Sequence, residues 1–284
     1  MLSSLLNLKH LQSDLKVVIL DQLIKNQHIS IKIIEENYLN IGDDNNSLRE
    51  LISIMGKAPG AQSRADLWLK IKNETSIEEK NSSIIKILFY EAQNGRAIQA
   101  LKLYFPELSS KTNSDVYDKF KILYEVMVNK NNNFEDDFYK KNMELIDILS
   151  FKKDLFYDVN FLNELNSSDI IPILDEFGLT SKNEEYLDDI LQINKQVVLN
   201  NVHPIIKSSL SDTLKGKRIP EVLLILPLII EDKNLNEISA YEILEFVSIL
   251  NEIGLENNAK EIALEWIGSR LIKEISSNYI NLKG

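Results

Sequence analysis

The sequence predicts an all-α protein, arranged as an α-solenoid or superhelix of antiparallel helical hairpins that stack with a period of about 38 residues. Three observations carry this expectation. Only 9 Gly and 6 Pro punctuate 284 residues, too little turn chemistry for a many-stranded sheet, while the long apolar patterns run at helical spacing. Glycines placed to end helices recur at a near-constant interval, with Gly178, Gly216 and Gly254 spaced by 38 residues and Gly56 and Gly95 by 39. Both tryptophans also stand in one frame, Gly56-Ala61-Ala65-Trp68 and Gly254-Ala259-Ala263-Trp266. That spacing puts alanines and an indole on one face of the helix that follows a turn.

Residues 1–40 hold two helices, one running from a Ser13 cap through "LKVVILDQLI" and one in "SIKIIEENYL". The polar loop "NIGDDNNS" follows, with Ser47 and Glu50 spaced as a capping box for the next helix. From 41 to 165 the pattern is one of hairpins. The clearest is "SSIIKILFYEAQNGRAIQALKLYFP", residues 82–106: an apolar helix, an Asn94-Gly95 turn, and a second helix carrying Ala100 and Tyr104 and stopped by Pro106. "NKNNNF", residues 129–134, supplies the next turn, since Asn tolerates the left-handed conformation a helix end needs. A longer insertion falls around 150–170, with a softer seam at "LNSSD", residues 165–169.

From 166 to 284 hairpins continue the same array without a low-complexity linker. "IPEVLLILPLII", residues 219–230, is expected as a helix started by Pro220, kinked at Pro227 and buried on nearly all sides. It is too short to span a membrane, which takes about 20 apolar residues. The last hairpin opens on a capping box of Ser239 and Glu242, continues with Ile243, Phe246, Val247 and Leu250 on one stripe, and turns at Gly254.

A turn glycine followed by a small residue at the fifth position and a small or aromatic one at the ninth resembles the tetratricopeptide repeat. Gly95-Ala100-Tyr104 and Gly254-Ala259-Ala263 carry the resemblance, with Gly56-Ala61-Ala65 as a third case. At Gly216 the fifth position is Glu221, and the first helices lack the Trp and Gly positions usual in that family. The resemblance implies a helical-repeat surface that receives a peptide or a partner helix.

Charge and motif content narrow the function. A net charge of −11 argues against nucleic acid, whose phosphates need clustered Lys and Arg. Zero Cys excludes disulfides, thiolate metal sites and a Cys nucleophile. The start, "MLSSLLNLKHLQSDLK", has no basic segment leading into an uninterrupted apolar one, so a cytoplasmic location is expected. His10, His28 and His203 are isolated, with no spacing for a metal. "GDDNNSLRE" offers Asp43, Asn45 and Ser47 in alternation, but Leu48 and Ile54 stand where a calcium loop needs Gly and Glu. The acid pairs at 43, 136 and 188 lack the third Asp that would hold magnesium and a diphosphate, and Asp188 and Asp189 are expected on a solvated face.

No catalytic residue, cofactor or metal is therefore expected. The compact basic cluster "LKGKR" sets Lys215, Lys217 and Arg218 at a hairpin turn, where they either complement a helix end or receive a carboxylate or acidic peptide. The expected function is a non-enzymatic scaffold for a protein or peptide partner, a homo-oligomer included. The alternatives are a structural subunit of a larger assembly, marked by an exposed apolar patch on an end hairpin, and an all-helical enzyme without a known motif.

Overall fold

Period-3.6 patterning with few breakers yields helices wherever the chain is described. The structure is a computed structural model that describes residues 19, 30–41, 61–111, 113–151, 170–178, 204–230 and 238–283. Among the described residues every regular element is helical and none is a strand, as the fold class requires. The helices are α1 (Ile31–Ile41), α2 (Ala61–Asn73), α3 (Ile77–Gln93), α4 (Ala97–Tyr104), α5 (Ser114–Leu123), α6 (Asp136–Leu149), α7 (Ile171–Glu176), α8 (Pro204–Lys215), α9 (Ile219–Ile225), α10 (Pro227–Ile230), α11 (Ala240–Glu252) and α12 (Glu256–Lys283). Two compact units divide the chain, Met1–Tyr124 with Ile275–Gly284, and Glu125–Glu274.

In the first unit α3 packs against both α2 and α4. Ser76 caps α3, accepting from the Glu79 amide at 3.5 Å, and Ile84, Ile85, Ile87 and Leu88 supply a fully buried stripe. Ala97, Ala100, Leu101 and Tyr104 of α4 meet it from the buried side of their own helix. Asn81, itself buried, ties the segment after α4 back to α3: Ser109 donates its amide to Asn81 Oδ1 (3.0 Å) and Asn81 Nδ2 donates to the Ser109 carbonyl (3.3 Å). Phe105 then stacks on Tyr124 at 4.6 Å between ring centres.

The second unit begins in a π-helical turn, Tyr124–Val128, whose Met127 side chain occupies the space left by the missing Cβ of Gly268 on α12. α7 packs on α11. The capping box of Ser239 and Glu242 forms as expected, and Ile243, Val247 and Leu250 are buried. Trp266 is fully buried, and its Nε1 donates to the Ile238 carbonyl (3.1 Å) at the entrance to α11, so the second helix of this hairpin runs back along the first. Pro220 starts α9, and the break at Leu226 before Pro227 separates α9 from α10.

Three hairpin turns close with one hydrogen-bond pattern. At each, the left-handed residue donates to the carbonyl three back and the next residue donates to the carbonyl five back of itself, satisfying orphan helix-end groups. The left-handed residues are Gly95, Lys217 and Gly254. Gly216 is therefore not the turn residue that its spacing predicts, because the helix runs one residue further and leaves Lys217 at φ +53°. The fifth and ninth positions after Lys217 are Val222 and Leu226, both buried, as are Ala100 and Tyr104 after Gly95 and Ala259 and Ala263 after Gly254.

Two further expectations need correction. In "NKNNNF" the left-handed residue is Lys130 (φ +52°), not an Asn. Residues 219–230 are not buried on nearly all sides: Val222 and Leu226 turn inward, while Leu223, Leu224 and Leu228 face solvent. Gly56, the Ser13 and Ser47 caps, the loop at 42–50 and the seam at 165–169 lie outside the described residues.

Candidate functional site

The basic turn sits at the closed end of the hairpin formed by α8 and α9. Lys215 occupies the last turn of α8, where a cation complements the helix C-terminus, and neither it nor Lys217 forms an ion pair among the described residues. Arg218 pairs with Glu221 at 2.7 Å, one helical turn on, with both side chains about half exposed. A Cβ at Gly216 would meet the Asp212 carbonyl at 3.2 Å and the Arg218 side chain at 3.1 Å, a tight fit. The turn thus holds three cations within four residues, two of them free of acids.

Lys217 also borders a cavity of about 250 Å³ whose wall includes Thr213, Leu214, Val222, Glu252 and Ile253. Alongside, α9 presents its outer face. Val222 and Leu226 anchor the inner side, so the opposite side carries Leu224 (76% exposed) and Leu228 (53%), four residues apart, flanked by Leu223 and Ile219. Ile205 (69% exposed) stands near the open end of the same hairpin. The arrangement sets an apolar strip beside a cationic turn.

A second cavity in the same unit, about 270 Å³, lies among Met127, Lys130, Leu149, Phe151, Lys260 and Leu264. Two bulky left-handed residues, Lys130 and Phe151 (φ +48°), and the π-helical turn surround it. Its rim charges are already matched, Lys130 with Glu261 (2.8 Å) and Lys260 with Glu256 (2.9 Å).

The first unit holds a buried ionic cluster that sequence reasoning missed. Arg64 on α2 is fully buried and donates through Nε to Glu91 of α3, while Arg96 donates to the other carboxylate oxygen at 2.6 Å. Arg64 Nη2 donates to the Tyr104 hydroxyl (3.2 Å), which in turn donates to Glu35 of α1. Burial pushes the phenols of Tyr38 and Tyr104 up and that of Tyr90 to about 12, so all three stay protonated at neutral pH, and Tyr104 is the one that donates within the cluster. Burial alone would weaken the charge on Arg64, but Tyr38, Glu91 and Tyr104 outweigh it and hold the guanidinium charged. Two arginines and two glutamates balance, so the cluster joins α1, α2, α3 and α4 without offering surplus charge to a ligand. The signal in the sequence is Glu91 on the stripe of Ile84, Ile87 and Leu88, and Arg64 one turn before Trp68.

His10, His28, His203, Asp43 to Ser47, and Asp188 and Asp189 lie outside the described residues. Asp136 and Asp137 open α6, where acids favour a helix start. Among the described residues no three His, Asp or Glu side chains gather as metal ligands, and no helix is long and apolar enough to cross a membrane. No family model, curated protein or solved structure matches the chain.

Proposed function

We propose that the protein is a non-enzymatic interaction module, a helical-hairpin array of the α-solenoid kind with a period near 38 residues, that binds a protein partner on the outer face of α9 and α10. One observation carries the reading: the crowding of large apolar side chains in solvent. Ten are exposed among the described residues, and five of them, Ile205, Ile219, Leu223, Leu224 and Leu228, belong to α8, α9 and α10. The others stand one or two to a helix, which is ordinary surface, whereas Ile219, Leu223, Leu224 and Leu228 fall within one ten-residue run of α9 and α10. The shared closure at Gly95, Lys217 and Gly254 supports the array, because like turns followed by like buried positions make like hairpins.

Lys217 and Arg218 contribute direction at the cationic end of the strip, and their exchange of solvent for a carboxylate adds specificity more than affinity. The test is capture of binding proteins by the full chain and by Leu224→Gln/Leu228→Gln, which removes the apolar strip without altering charge. The variant is expected to lose what the wild type retains. Identical capture by both would overturn the reading, and far-ultraviolet circular dichroism of the variant guards against unfolding as the cause.

A further inference from the structure

We propose that the cavity between the α8–α9 turn and the C-terminal end of α11 binds a free α-amino acid with an aliphatic side chain. This goes beyond the partner surface, because the cavity borders α9 where Val222 lies, whereas the apolar strip runs over Leu224 and Leu228. Its lining carries two charged side chains, Lys217 from the turn and Glu252 from α11. Neither forms an ion pair among the described residues, although Arg218 beside them is paired with Glu221. Thr213, the remaining polar lining residue, already donates its hydroxyl to the Leu210 carbonyl (2.8 Å). The rest of the wall is apolar, from Leu214, Ile219, Val222 and Ile253.

The two charges are held in place and unanswered. Glu252 is the last residue of α11, at the negative end of the helix dipole, and that last turn holds no basic residue. Lys217 starts from a fixed backbone, because its amide donates to the Leu214 carbonyl (2.9 Å) and the next amide to the Thr213 carbonyl (3.0 Å). An incoming cation relieves the first and an incoming carboxylate pairs with the second. One ligand answers both if it carries an ammonium and a carboxylate close together on an apolar body, which is the chemistry of an aliphatic α-amino acid. Its ammonium meets Glu252 and the end of α11, its carboxylate meets Lys217, and its side chain covers the apolar wall. A cavity of about 250 Å³ is smaller than the roughly 300 to 1,000 Å³ of drug-sized ligand sites, so size favours a single amino acid over a peptide. Attachment at two charges and a wall also fixes handedness, so the two enantiomers bind unequally.

Isothermal titration calorimetry of the full chain with L-leucine tests the proposal. The wild type is expected to bind one equivalent, with glycine, which lacks the apolar body, at least about tenfold weaker and D-leucine at least about threefold weaker. Glu252→Gln and Lys217→Met should each weaken L-leucine by about tenfold, the loss of one charge-assisted hydrogen bond. Truncating the ligand makes the same test without touching the fold: isoamylamine lacks the carboxylate and isocaproate lacks the ammonium, and each should bind wild type at least about tenfold more weakly than L-leucine. L-leucine that gives no heat at about 10 mM overturns the proposal. So does binding that is indifferent to both substitutions, to the loss of either ligand charge, or to the exchange of enantiomers.

Discussion

Trp266 concentrates much of what holds the last hairpin. Its indole is fully buried beside Ala259 and Ala263, its Nε1 donates to the Ile238 carbonyl, and the Arg270 guanidinium lies 4.7 Å from the ring centre. Trp266→Ala should cost about 3 to 5 kcal/mol, the range for deleting a buried aromatic side chain. An unchanged urea midpoint would show that the indole is not core. Lys217 is the opposite case, a residue whose backbone is less comfortable than a glycine would be. The left-handed conformation costs a side-chain-bearing residue roughly 1 to 2 kcal/mol, of which glycine's extra unfolded-state entropy returns part, so Lys217→Gly should stabilise by about 0.5 to 1 kcal/mol. The gain in denaturation midpoint is the measurement that checks it.

At the scale of elements, Glu107 shows how charges fasten α2 and α3 to the turn after α4. Partial burial alone would raise its pKa, but Lys72 and Lys80, each 3.0 Å away, outweigh this and hold the carboxyl below its ordinary value. A carboxylate with a depressed folded pKa contributes stability above its unfolded pKa, near 4.3, and loses it as pH falls through the lower folded value. Glu107→Gln should therefore lower stability at pH 7 by about 1 kcal/mol or less, with the difference from wild type closing in acid below pH 4. A difference that stays constant with pH would remove the electrostatic account. Glu91 is a harder case, since replacing it by Gln leaves Arg64 and Arg96 buried without their anion, which should cost about 3 to 5 kcal/mol.

These elements also mark what was legible in the sequence. Helix identity, the Ser239 and Glu242 cap, the Asn94-Gly95 turn and the break at Pro227 depend on neighbouring residues alone, and all appear as read. The turn at Lys217 was displaced by one residue because Gly is the better left-handed residue and stood next door, while helix extension decided otherwise. The exposure of Leu223, Leu224 and Leu228 is not legible in 219–230 because hydrophobicity reports what a segment prefers to cover, not whether anything covers it. Glu91 and Arg64 each stand out as a charge on an apolar face, but the cluster they form is not legible, because its members come from four helices and no local pattern links residues 35, 64, 91 and 104.

For the whole molecule, net charge and the exposed strip act against each other. At neutral pH each copy carries −11, and that repulsion opposes nonspecific association through apolar surface. The sequence pI is about 4.9, so acidification towards pH 5 removes the repulsion while the leucines of α9 and α10 remain exposed. The wild type should therefore turn turbid as pH approaches 5. Leu224→Gln/Leu228→Gln has the same titratable groups and so the same pI, which makes it a control that changes only the apolar strip. It should stay clear over the same pH interval, with the difference read as light scattering at matched concentration. Salt offers a second axis, because screening weakens the repulsion at neutral pH without touching the strip, and scattering by the wild type should then rise where the variant's does not. Equal turbidity of the two proteins at pH 5 would mean that loss of charge alone drives association, and that the exposed leucines do not govern how this molecule meets another.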